Sequence, residues 1–359
     1  MTNREILARG APLLDVRAPV EFAAGAFPAA VNMPLLADGE RQQVGRTYRE
    51  KGKEAAVLLG EQLVSGAVKE SRVARWVTFV DANPSALVCC ARGGLRSQIA
   101  SEWLAEAGRP TERVVGGFKA LRNQAIAVVG EAALERDWLI LGGSTGSAKT
   151  SLLADFESAL DFEEAANHRG SSFGGFSTPQ PSQVTFENRI ASALLCHRDR
   201  HLLVEDEGRN LGTLAIPEVL VQKMRRSPVV VLEVPFEERV ENIFRDYVTL
   251  ALAAGETKTA LCLRYRAALA RLRKRLGDQR WRELDEAIGI AFESGESAAH
   301  GEWIAGLLQS YYDPMYDFQL EKKRDRVVFS GTRADVKRHL EESGFVASRV
   351  TTSPDQARR

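Results

Sequence analysis

Residues 137 to 155 read DWLILGGSTGSAKTSLLAD, and no other stretch limits the fold so sharply. An apolar run ending at Leu141 enters a loop with Gly142, Gly143 and Gly146; Leu152, Leu153, Phe156 and Leu160 then recur as the inner stripe of a helix. Buried run, glycine turn and helical spacing predict strand, loop, helix. Gly143, Gly146, Lys149 and Thr150 fit the pattern of a phosphate-binding loop, except that Ala148 stands where the pattern has glycine before lysine. In such a loop the backbone N–H groups, that of Ser147 among them, turn inward around phosphate. Lys149 neutralises the anion and Thr150 can reach Mg²⁺. Alanine is small and tolerates helical angles, so the cradle is expected to survive. The competing reading is a glycine-rich connecting turn without a ligand.

The segments that follow repeat the alternation. HLLVEDEGRNLG (201 to 212) reads as an apolar strand ending in Glu205, Asp206 and Glu207, and SPVVVLEVPFEERV adds a strand from Val229 to Leu232 and then a helix. Alternating strands and helices predict a mainly parallel sheet with its ligand site at the strands' C-terminal edge. Asp206 and Glu207 there could serve Mg²⁺ or a phosphate-bound water, or be a solvated strand end. Residues 166 to 194 begin rich in Gly, Ser and Pro and should start as loop, with His168, Arg169 and Ser171 as candidate substrate contacts. His168 taken alone reads better as structural than as catalytic. From about 237 to 310 the pattern is helical. Within it RYRAALARLRKRLGDQRWRE (264 to 283) concentrates basic side chains around a stripe of Leu269, Leu272 and Leu276. Such a run is either a solvated helix or a contact for an RNA backbone through Arg264, Arg271, Lys274 and Arg275.

A second chemical signal lies earlier, in CCARGGLRS, residues 89 to 97. A short apolar strand runs into it, and Ile99, Trp103 and Leu104 continue at helical spacing until Gly108. Cys90 is therefore the first residue of a tight loop that holds Arg92, Gly93, Gly94, Arg96 and Ser97. A helix N-terminus and two arginines are the conditions that lower a thiol pKa and produce a thiolate. Cys89, Cys196 and Cys262 are expected to be small buried hydrophobes. Cys90 and Arg96 also have the spacing of the cysteine-phosphatase signature, in which loop amides and arginine hold phosphate. That pattern normally has His before the cysteine, where this chain has Cys89.

The chain has 359 residues, enough for two domains, expected at 1–127 and 128–359. Its net charge is zero, so nucleic acid would have to be met by a local patch. No apolar run approaches the roughly 20 residues of a membrane span. MTNREILARG lacks the apolar core of a signal peptide. Four cysteines, two of them adjacent, make neither a disulfide framework nor metal-ligand spacing, so no metal site is assigned with certainty and a reducing cytoplasm is expected.

Two resemblances extend this reading. Asp15, Val16 and Arg17 of LLDVR, then Glu21 and Phe22, the loop at Cys90 and VVGGFKALRN (114 to 123) resemble the rhodanese sulfurtransferase domain over residues 1 to about 125. One departure is Ala26 before Phe27 and Pro28, where that family usually has His before Ile-Pro. An N-terminal rhodanese-like α/β domain followed by a P-loop parallel-sheet α/β domain with a basic helical segment is the architecture implied. That order, with CCARGGLRS, GGSTGSAKT, ANHRGSSFG, VEDEGRNLG and YYDPMYDFQLEKK, resembles the tRNA 2-selenouridine synthase family to about residue 345. The resemblance implies a transferase whose substrate is wobble 2-thiouridine in tRNA. Geranyl diphosphate and selenophosphate would be co-substrates, Mg²⁺ a candidate cofactor and a selenophosphate-supplying enzyme a candidate partner. Alternatives are a P-loop ATPase or kinase with a sulfurtransferase-like or cysteine-phosphatase-like N-terminal domain, and a noncatalytic tRNA-binding regulator.

Overall fold

The computed structural model describes residues 1–197 and 199–348. It forms two compact units, the first comprising Met1–Ala132 and Pro181–Cys196, the second Ala133–Gln180 and the described residues from His197 to Ser348. Among the described residues no helix is long and apolar enough to cross a membrane.

The first unit is built on three parallel strands, β1 (Leu13–Asp15), β2 (Ala30–Asn32) and β3 (Leu87–Cys89), in the order β2-β1-β3. Residues Glu112 to Val114 extend this edge, since Val88 donates to Glu112 and Val114 donates to Val88. β1 and β3 are buried throughout, as strands covered on both faces by helices must be. Leu14, Val16, Val88, Ala100 and Leu104 pack with Trp76 into one core. Asp15 and Arg17, the polar ends of LLDVR, are also buried. Arg17 pairs with Asp15 at 2.6 Å, donates to Gly25 O and lies 3.8 Å over the Phe118 ring, so that charge is fully partnered.

A segment from beyond the P-loop completes this unit. The helix Gln183–Cys196 grips both backbone groups of Ala26: Thr185 Oγ1 accepts from Ala26 N–H (2.9 Å), and Asn188 Nδ2 donates to Ala26 O (2.9 Å). The approach is so close that a Cβ on Gly25 would lie 2.5 Å from Val184.

In the second unit β4 (Asp137–Gly142), β5 (Ala159–Leu160), β6 (His201–Glu205), β9 (Val229–Leu232) and β10 (Val327–Gly331) form a five-stranded sheet in the order β10-β9-β4-β6-β5. Every pairing is parallel. A two-stranded hairpin, β7 (Asn210–Leu211) and β8 (Leu214–Ala215), follows β6. β4 is central and β4, β6 and β9 are apolar on both faces, which puts the loop after β4 at the C-terminal edge where parallel sheets bind ligands. Helices run from Phe236 to Glu321, interrupted by π-helical segments at Phe244–Thr249 and Leu308–Tyr312. Leu261, Tyr265, Leu269, Ile288 and Ile304 are the centre of their shared core. One expectation fails here and in the first unit: Cys89 is buried, but Cys262 is half-buried and Cys196 is exposed. The apolar stripe of each helix is supplied by other residues, so the thiols are not needed inside.

Candidate active site

The P-loop forms directly from β4. Gly143 (φ 155) and Gly146 (φ 85) take backbone angles that glycine alone adopts readily, and a Cβ on Gly146 would lie 2.7 Å from Arg239 O. Ala148 does not adopt helical angles as expected; it sits in the left-handed region at φ 56, ψ 38, the conformation for which glycine is suited. The loop is braced from outside. Asn242 Nδ2 donates to Gly146 O (3.0 Å), and Arg239 donates to Thr145 O (3.2 Å) while holding Asp313 with two bonds of 2.7 and 2.8 Å. Ser147 Oγ and Tyr316 Oη, the latter packed beside Gly142, are buried hydroxyls that close no hydrogen bond. Both hydroxyls keep hydrogen-bonding capacity at the loop.

Lys149 Nζ lies 2.9 Å from Gly143 O and 3.6 Å from Glu205, and Thr150 Oγ1 lies 3.1 Å from Glu205 and 3.4 Å from Glu163. Carboxylate oxygens of Glu163, Glu205 and Glu207 all come within 4.8 Å of one another. Burial and then repulsion by Glu205 and Glu207 push the Glu163 carboxyl well above its ordinary range. Burial and then repulsion by Glu205 raise Glu207 to about 8, and burial with repulsion from Glu205 raises Asp161 to about 6. Three crowded carboxylates and a hydroxyl are a hard-oxygen donor set, suited to Mg²⁺, whose charge would relieve their repulsion.

Of the two acids singled out in the sequence, Glu207 belongs to this cluster. Asp206 does not: both its oxygens lie 2.6 Å from Lys323 Nζ. Glu163 escaped the sequence reading because DFEEAAN looks like an ordinary exposed helix start. Arg239 escaped for the same reason, although it is only 7% exposed.

The loop after the helix Phe162–Ala166 curls beside these acids. A Cβ on Gly170 would meet Glu163 at 2.5 Å and Glu207 at 3.1 Å. Arg169 lies 4.2 Å over Phe176 and 5.0 Å over Tyr247, and Ser171 Oγ bonds Tyr247 Oη at 2.9 Å. His168 is half-buried with Nδ1 unbonded, and burial, then Arg271 and Arg169, lower its pKa. Gln180 ties the loop to the hairpin, donating to Leu211 O and accepting from Thr213 N.

Most of the basic helix is already engaged within the chain. Arg264 pairs with Glu256, Arg271 donates to Ser172 O (2.7 Å) and Arg275 donates to Tyr311 Oη (2.5 Å). Among the four proposed RNA contacts, Lys274 alone has no partner among the described residues. In the free protein, acidic, carbonyl and hydroxyl groups of neighbouring segments occupy these arginines.

In the first unit β3 delivers Cys90 into the glycine loop. The backbone amides of Ala91 to Arg96 find no acceptor among the described residues, so they remain available as donors. The loop is held from behind by Gly116 and Gly117: Phe118 donates to Cys90 O (2.8 Å) and Lys119 to Ala91 O (3.0 Å). A Cβ on Gly117 would lie 2.3 Å from Cys90 O. The Cys90 thiol donates to Ser97 Oγ (3.2 Å), and Ser97 donates to Gly94 O (2.9 Å). The residue is 3% exposed, so its sulfur is covered rather than standing at the loop mouth. Arg96 is not free to hold an anion: it makes two bonds to Glu21, at 2.5 and 3.1 Å. Burial alone would raise Glu21, but the Arg96 bonds and charge bring it below its ordinary value. Arg92 is exposed and without an ion-pair partner among the described residues. Burial pushes the neighbouring Cys89 thiol well up, which disqualifies it as the nucleophile.

A glycine loop after a central parallel strand, with lysine and threonine at the next helix and acids from the adjoining strand, defines an α/β protein of the P-loop class. Residues 136–345 match the family model described as the tRNA 2-selenouridine synthase AAA domain. A tRNA 2-selenouridine synthase of Cupriavidus necator is 49% identical over 348 residues, 93% of this chain and 95% of that one. Proteins of the same name from Pseudomonas entomophila and a Sulfurovum species are each 45% identical, over 92% and 94% of this chain and 92% and 97% of theirs. The chain belongs to the tRNA 2-selenouridine synthase family.

Proposed function

We propose that this enzyme replaces sulfur by selenium in the wobble 2-thiouridine of tRNA through two transfers, one at each loop. Geranyl diphosphate is the first donor. The uridine sulfur bonds to its C1, the C1–O bond breaks with the electron pair leaving on diphosphate, and the base loses its N3 proton. Such a step needs stabilisation of the charge that gathers on the leaving group. Lys149, the P-loop amides other than that of Ser147, which donates to Ser144 O, and the unbonded Ser147 hydroxyl are suited to it without any nucleotide hydrolysis. Mg²⁺ held by Thr150, Glu163, Glu205 and Glu207 would supply further charge neutralisation. Selenophosphate, delivered by the enzyme that makes it, is the second donor. Selenium bonds to C2 of the base, the C2–S bond breaks, geranyl thiolate leaves, and water takes the phosphoryl group.

The first unit serves this second step as a rhodanese-like domain. Its support is a thiol, Cys90, at the start of a glycine loop whose amides have no acceptor among the described residues, a combination that suits an anionic chalcogen donor. Arg92 is the cation left to meet selenophosphate. Arg169 and Lys274 are the groups left to meet tRNA. The observation that carries the reading is that the phosphate cradle and the thiol cradle are built on separate sheets, each complete in itself.

Thiolated tRNA incubated with the protein, geranyl diphosphate and selenophosphate, followed by nucleoside mass spectrometry, tests this. Wild type should yield 2-selenouridine. Cys90→Ser should accumulate the S-geranylated nucleoside, and Lys149→Ala should slow its appearance by about 10²–10³-fold. If folded, tRNA-binding Cys90→Ser lost both transfers equally, the two-site reading would fall. Steady phosphate release from ATP or GTP, abolished in Lys149→Ala, would favour a nucleotide-hydrolysing enzyme instead.

A further inference from the structure

Of the tRNA contacts expected in the second unit only Arg169 and Lys274 stay available, and so few charges hold a polyanion weakly against salt. The first unit carries cations that no other group has claimed. They lie on the helix Asp38–Leu63, whose Val44 packs on the core around Leu14 and Trp76 and whose Ala56 is buried. Near its start the charges are paired, Glu40 with Arg72 at 2.9 Å and Arg41 with Glu21 at 3.0 Å. Beyond them the pairing stops. Arg46, Arg49, Lys51 and Lys53 are exposed, and none of these side chains has an ion-pair or hydrogen-bond partner among the described residues.

A solvated helix usually sets opposite charges three or four residues apart, where they neutralise one another. Here the four cations share positions 46 to 53 with a single carboxylate, Glu50, and therefore repel. Tyr48 sits among them, 58% exposed and in contact with no other ring among the described residues. At Gly52 the helix bends through φ 83, where an added Cβ would meet nothing, so the glycine makes the bend itself on an open surface. This surface begins at the thiol loop. Arg41 holds Glu21, which in turn accepts two bonds from Arg96 of that loop (2.5 and 3.1 Å). From Arg41 to the bend runs about 15 Å of helix.

We propose that this helix is an RNA-docking surface that leads the tRNA backbone to the thiol loop; this rests on the reading of tRNA as the substrate. Arg46, Arg49, Lys51 and Lys53 meet phosphates flanking the modified nucleotide, and Tyr48 stacks on an unpaired base beside it. Phosphates relieve the repulsion among the four cations and give up their own counterions, which is the main source of affinity for a nucleic acid. Cations with an interleaved exposed aromatic ring suit single-stranded loops, whose splayed bases offer π-faces. An acidic protein would match the charges but would leave the ring without a stacked base.

Equilibrium binding of thiolated tRNA to the full chain is measured over a range of salt concentrations. The triple variant Arg46→Gln, Arg49→Gln, Lys53→Gln, all at exposed positions, should bind at least about 10-fold more weakly at low salt, and its slope of log affinity against log salt should be shallower by about 2. A control triple, Lys223→Gln, Arg225→Gln, Arg226→Gln, removes the same charge from the second unit and should stay within about twofold of wild type. Tyr48→Ala should weaken binding at least about fivefold with the salt slope unchanged, and Tyr48→Phe should restore it. A helix triple that binds like wild type, or a control triple that loses as much, overturns the docking surface and leaves tRNA as the substrate. Tyr48→Ala binding like wild type overturns the stacking contact. Failure of wild type to bind tRNA at all removes the substrate reading and the docking surface together.

Discussion

Ala148 holds a left-handed backbone at φ 56 that its Cβ opposes by about 1–2 kcal/mol, so the phosphate loop is closed under local strain. Ala148→Gly removes that strain but enlarges the freedom of the unfolded chain, leaving a net gain of about 0.5–1 kcal/mol. The melting temperature, read by calorimetry, should rise by about 1–3 °C. Glu207 is strained in another sense. Its folded pKa of about 8 lies above the ordinary 4.5, so between those values the native state holds a proton that the unfolded chain has released. Stability is then fullest below the lower value and is lost as pH climbs through the upper one. In chelator, melting temperature should fall from about pH 5 to about pH 8, and Glu207→Gln should shallow that slope. Added Mg²⁺ should restore stability most at the alkaline end, because a dication compensates the charge that the cluster otherwise excludes.

Among elements, the two turns that shape the chemistry differ in how openly the sequence declares them. Gly117 sits at φ 60 with no room for a Cβ against Cys90 O and Gly93 N, at 2.3 and 2.4 Å. Gly117→Ala combines left-handed strain with overpacking, so a loss of about 2–5 kcal/mol in chemical denaturation is expected. Selenation should fail in this variant while geranylation in the folded fraction persists. The strand, loop and helix at 137 to 155 could be read directly, because their signal lies in adjacent residues with one period. The Cys90 loop was equally open. What supports each loop was not: Gly116 and Gly117, Arg239, Asn242 and Glu163 act across long sequence separations, where no periodicity reports a contact. The arginine-rich helix is the complementary case. Its charges were visible, but the partners that absorb them, such as Glu256, Ser172 O and Tyr311, lie outside it.

At the scale of the whole molecule, the chain leaves the second unit after Gln180, contributes Pro181–Cys196 to the first, and returns at His197. No boundary drawn once through the sequence could express that path, since the helix concerned has the amphipathic pattern of any surface helix. Each unit nevertheless completes its own cradle from its own sheet, and the proposed intermediate is an S-geranylated tRNA that is chemically whole between the two transfers. Cys90→Ser and Lys149→Ala should therefore complement each other in trans. Neither variant alone should make appreciable 2-selenouridine from thiolated tRNA, whereas an equimolar mixture should, with a lag while the geranylated nucleoside builds up and is passed on. Nucleoside mass spectrometry over time reads both species. A mixture no better than its components would mean that the geranylated tRNA never leaves the molecule that made it, and that the two cradles must serve one bound tRNA in a single visit.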